Sequence, residues 1–125
     1  MSVFRTACVF AITGFLVLGT VAGAHEVEKG PNGGRVADAG EYHVELVTSG
    51  NRIEVFLTDH DDAQVSAAAH SGLAILAIDG KSRRIALSPA GEILAGSVES
   101  TIQGEPKGVV QITPPKGKMV QARFN

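Results

Sequence analysis

From Glu41 to Thr48 apolar and polar residues alternate, with Tyr42, Val44 and Leu46 on one side and Glu41, His43 and Glu45 on the other. A period of two predicts a half-buried strand that keeps His43 and Glu45 on its solvated face. Ser49-Gly50-Asn51 supplies a tight turn, and Arg52 to Thr58 resumes the pattern with Ile53, Val55 and Leu57, so the pair reads as a hairpin. Leu73 to Ile78 is continuously apolar, and Asp79-Gly80 turns it into Lys81 to Leu87. Ser88-Pro89-Ala90-Gly91 predicts a further turn before a strand over Ile93 to Val98, and a looser loop runs from Glu99 to Gly108. Val109 to Thr113 and Lys118 to Phe124, parted by Pro114-Pro115-Lys116-Gly117, close the sheet. With a short opening strand around Gly34 to Ala37, this makes seven to eight strands. The expected fold is all-β, a single small antiparallel β-sandwich of Ig-like kind. Asp62 to His70 is ambiguous, because Ala63, Ala67, Ala68 and Ala69 are compatible with one helical turn.

The first 24 residues break this pattern. Arg5 is followed by an uncharged run to Ala24, with an apolar core from Ala7 to Gly19 and small residues from Thr20 onward. Ala22 and Ala24 form an A-x-A site, which predicts a signal segment cleaved before His25 and a periplasmic or secreted protein. The alternative is a retained anchor, since the uncharged run approaches the roughly 20 residues that span a bilayer. Cleavage divides the chain into a signal peptide, 1–24, and one domain, 25–125. On that reading the membrane is met only transiently.

Losing Arg5 leaves 10 basic against 13 acidic residues, a net charge of −3. That argues against nucleic acid or an anionic membrane as partner, both of which need clustered Lys and Arg. The one local basic cluster, Lys81, Arg83 and Arg84, fits the solvated part of a strand. The only cysteine, Cys8, leaves with the signal. Iron–sulfur clusters, cysteine-type zinc sites and blue-copper thiolates go with it, and Met119 alone makes a thioether Cu(I) site a poor expectation. Tyr42, Phe56 and Phe124 are too few aromatics for a carbohydrate platform.

Gly30-Pro31-Asn32-Gly33-Gly34-Arg35 reads as a turn that can adopt positive φ, ahead of the first strand. It is not a phosphate loop, because G-x-x-x-x-G-K-[ST] is absent. This hexapeptide and the strand Glu41-Tyr42-His43-Val44-Glu45-Leu46 resemble the small β-domain near the N-terminus of periplasmic adaptor subunits of heavy-metal (RND-type) efflux pumps, and short exported proteins that share that start. The resemblance covers residues 30 to 46. It implies an exported binding or accessory domain in metal homeostasis or efflux, with an efflux or envelope protein as partner. The adaptors' helical hairpin, lipoyl-like half and methionine-rich segments have no counterpart here, so the chain is not itself an adaptor.

Cleavage before His25 would free an amine that, with the ring Nδ1, can chelate Cu(II); a further imidazole completes the nitrogen-rich site this ion favours. His25, His43 and His60 are therefore the candidate metal ligands, for Cu(II) or Zn(II), with His70 as a weaker one. Glu26, Glu28, Glu45 and Asp59 are possible oxygen donors. Each histidine also has an ordinary reading: His25 as a loose terminus, His43 as a solvated residue paired across the sheet, His60 as decoration on an aspartate-rich turn. Asp59, Asp61 and Asp62 lack the glycine and distal glutamate of a calcium loop. No G-x-S-x-G or H-E-x-x-H motif is present, so the expectation is a non-catalytic domain without a certain cofactor. The competing readings are a metal-free interaction module of the cell envelope and, third, a small hydrolase.

Overall fold

A computed structural model describes residues 28–125. The signal segment and His25 lie outside the described residues. Ten strands follow: β1 (Glu28–Lys29), β2 (Arg35–Ala39), β3 (Tyr42–Ser49), β4 (Arg52–Thr58), β5 (Gln64–Val65), β6 (Ser71–Ile78), β7 (Lys81–Ala90), β8 (Ile93–Ser97), β9 (Gly108–Thr113) and β10 (Val120–Phe124). Eight have five or more residues, which matches the pattern-based expectation; β1 and β5 are two-residue additions.

All pairings are antiparallel, in the order β1-β2-β3-β4-β8-β7-β6-β9-β10, with β5 on β4. The ladder is therefore one continuous sheet, curled into a half-barrel, and not two plainly separate layers. Its far ends come together where the Arg35 guanidinium of β2 lies 5.4 Å from the centroid of the Phe124 ring in β10. Inward residues of both halves form one aliphatic core around Ile53, Leu57, Leu76, Leu94 and Ile112, with Phe124 as its one buried aromatic ring. Each such side chain contributes about 1.5–3 kcal/mol on leaving water.

The turn chemistry follows the residues. Asp79 and Gly80 both take positive φ, as a tight two-residue hairpin of the right twist requires. β7 differs from expectation: it runs on through Ser88 and Pro89 to Ala90, and the chain reverses at Gly91-Glu92. Past Leu87 it has lost β6 as a neighbour, so Pro89 sits where the strand is paired on one side only and a missing donor is tolerated. Asp62 to His70 holds no helix. Gln64 and Val65 pair with β4, Ala67 donates its N–H to the Glu92 carbonyl, and the His70 N–H goes to Ala67. Backbone groups spent on the sheet are not available for a helical turn.

The alternation in β3 holds for Val44 and Leu46, which are fully buried, but not for Glu45. Glu45 is 4% exposed although it faces away from the core. The cause is the Gly30–Gly34 loop, which folds back over that face.

Candidate functional site

The outward face of β2, β3 and β4 carries two polar groupings of different kinds. In the first, the loop before β2 closes on the Glu45 carboxylate. The N–H groups of Asn32 and Gly34 each donate to Oε2 at 2.9 Å, and Asn32 Nδ2 donates to Oε1 at 2.9 Å. Within the loop, Gly30 N–H bonds to the Gly34 carbonyl and Gly33 N–H to that of Gly30. This is a backbone nest around an internal anion. A Cβ on Gly30 would run into the Glu45 carboxylate, and one on Gly34 into the Leu46 carbonyl, so the close approach requires glycine at both. The hexapeptide is thereby assigned a local role in holding β3.

Arg35, the last residue of that hexapeptide, points the opposite way. Its guanidinium donates to the Pro106 carbonyl and lies 4.0 Å from Glu105, beneath Phe124. Burial pushes it below the ordinary arginine value, with Glu105 pulling in the other direction.

The second grouping centres on His43. The tight turn through Gly40 sets Asp38 directly opposite His43, and His43 in turn faces Thr58 at the end of β4. His43 Nδ1 donates to Asp38 Oδ1 at 2.6 Å. Beyond Thr58 the chain enters a turn fixed by Asp59, whose Oδ1 accepts the N–H groups of Asp61 at 2.9 Å and Ala63 at 3.0 Å. Asp62 adopts a φ of 59° to complete it. The turn brings His60 against His43, edge to face, with ring centroids 5.5 Å apart and planes at 88°. With Nδ1–H donating to Asp38, a neutral His43 offers Nε2 as its acceptor, the arrangement in which a carboxylate orients a ligating imidazole. A cavity of about 260 Å³ opens beside His43, lined also by Asn32, Glu45, Phe56, Asp62 and Gln64; His60 is not in its lining.

Of the expected ligands, then, His43 and His60 come together and His25 is outside the described residues. His70 does not join them. It follows Tyr42, which adjoins His43 in β3 and so points to the other face. There His70 is 8% exposed, with Nε2 3.3 Å from the Tyr42 hydroxyl and Nδ1 without a partner among the described residues. Of the possible oxygen donors, Glu45 is engaged by the loop and Oδ1 of Asp59 by its turn. Among the described residues no group of three or more His, Cys, Asp or Glu side chains is assembled to hold a metal ion. Asp38 was missed as a site residue, and the register around Gly40 was the signal that would have found it.

Comparison with protein-family models, with curated proteins and with solved structures returns no match.

Proposed function

We propose that the protein is an exported, non-catalytic binding domain, freed behind Ala24, that takes a divalent transition metal, Cu(II) or Zn(II), at His43 and His60 with His25 as a third ligand. At the finer level of fold we read the curled sheet as an Ig-like sandwich. The observation that carries the metal reading is the paired imidazoles with Asp38 on one of them. Two rings in contact, one oriented by a carboxylate, supply nitrogen donors suited to either ion. Glu28 of β1 lies opposite Val36, two residues from Asp38, so the described residues begin beside the strand that carries Asp38. Metal homeostasis or efflux is the context that the resemblance over residues 30 to 46 supplies.

Calorimetric titration with Cu(II) and Zn(II) tests this. A protein beginning at His25 should bind one equivalent. The same protein with one residue added ahead of His25, and the variants His43→Ala and His60→Ala, should each bind at least tenfold more weakly. Equal, weak binding by all four would falsify the reading. The second reading, a metal-free interaction module of the envelope, is favoured by the opposite face of the molecule.

A further inference from the structure

On the outward face of β7, β6, β9 and β10 the registered pairs Arg84–Ile75, Ile75–Val109 and Val109–Arg123 form one row across four strands. Two arginines thus bracket two aliphatic side chains, about 14 Å apart at three inter-strand steps. The neighbouring row, Ala86–Leu73–Gln111–Gln121, is uncharged. Burial alternates along these strands: Ala74, Leu76, Ile85, Leu87, Val110, Ile112, Ala122 and Phe124 turn inward. None of the residues left outward on the four strands is a carboxylate. Neither Arg84 nor Arg123 forms an ion pair among the described residues.

The face on the other side of the core has the reverse character. Glu28, Asp38 and Glu54 belong to its strands or edge, and Asp61 and Asp62 stand in the turn beyond it. On those strands Arg52 and Glu54 offset each other at 3.2 Å and Lys29 offsets Glu28 in β1, so the acidic excess rests on Asp38 and the aspartates of the turn. The molecule is therefore two-faced in charge. Like faces repel each other, whereas the cationic face of one copy complements the acidic face of the next.

We infer that the Arg84–Arg123 face is an interface onto a second copy of this chain, seated on the acidic β2–β4 side. Such contact is heterologous, and since the two faces lie on opposite sides of the core it propagates head to tail without closing. Four short strands offer on the order of 300 Å² per copy, below the roughly 800 Å² of a standard stable interface. Association is accordingly weak, reversible and suppressed by salt. It does not rest on the metal reading.

Sedimentation velocity over a wide concentration range tests it. At low ionic strength the weight-average sedimentation coefficient should rise with concentration, and at high ionic strength it should stay at the monomer value. Arg84→Glu with Arg123→Glu should sediment as a monomer in both conditions, and so should Glu54→Lys with Asp61→Lys. Mixing the two double variants at low ionic strength brings the intact cationic face of one to the intact acidic face of the other and should restore association, whereas each mixed with wild type should cap growing chains and lower its sedimentation coefficient. A wild-type protein that stays monomeric at every concentration at low salt overturns the inference. So does self-association that survives the arginine replacements, with circular dichroism confirming that the variants are folded.

Discussion

Glu45 and His43 are two residues apart, on the same face of the same strand, and the fold treats them in opposite ways. Glu45 receives three hydrogen bonds from a loop that covers it. His43 has one fixed partner, Asp38, and its ring lies against His60 and lines a cavity. A polar group with its bonding capacity met from within the chain stabilises structure; one left with a lone pair beside another donor has capacity for a ligand. The difference arises upstream, in a glycine-rich loop long enough to reach Glu45 and no farther.

Substitutions at the two positions should separate these roles. Glu45→Ala leaves the donors of Asn32 and Gly34 without their acceptor and should cost about 2–3 kcal/mol in urea unfolding. A cost within experimental error would show that water replaces the carboxylate and that the loop is not held by it. Asp38→Asn keeps the shape but weakens the orientation of His43, and metal affinity should drop 10- to 100-fold, about 1.4–2.8 kcal/mol, with the unfolding midpoint little changed. An unchanged affinity would detach Asp38 from the site. Tyr42→Phe removes the one side-chain partner of His70 and should destabilise by about 1 kcal/mol without touching metal binding. That variant sets a buried, structural histidine against the half-buried His43 and exposed His60. Last, His60→Ala should alter stability by no more than about 0.5 kcal/mol while removing a ligand; a loss above 1 kcal/mol would mean that the ring contact is structural.

The strands were legible because aliphatic alternation and Asp79-Gly80 act locally. What could not be read was what lies over a strand. Alternation put Glu45 in solvent, and only a loop 11 to 13 residues upstream, folding back, buries it. The nearness of His43 and His60 needed the register of β3 on β4 together with the shape of the Asp59 turn. His70 stands in an alanine-rich stretch whose conformation the pattern leaves ambiguous, and the pairing of β5 draws that stretch inward. Strand Pro89 misled in the other direction, since proline marks a turn in sequence but is accepted where a ladder is one-sided.

Arg35 has a kinetic consequence. Its partners lie 71 residues along the chain at Pro106 and farther still at Phe124, so its contacts have no local precursor. A seam of such long range closes after the hairpins have formed and opens before they melt. Weakening it should therefore shorten the lifetime of the native state while leaving the rate of its formation almost alone. Wherever proteases act on opened chains, that lifetime, rather than equilibrium stability, decides how long the domain persists.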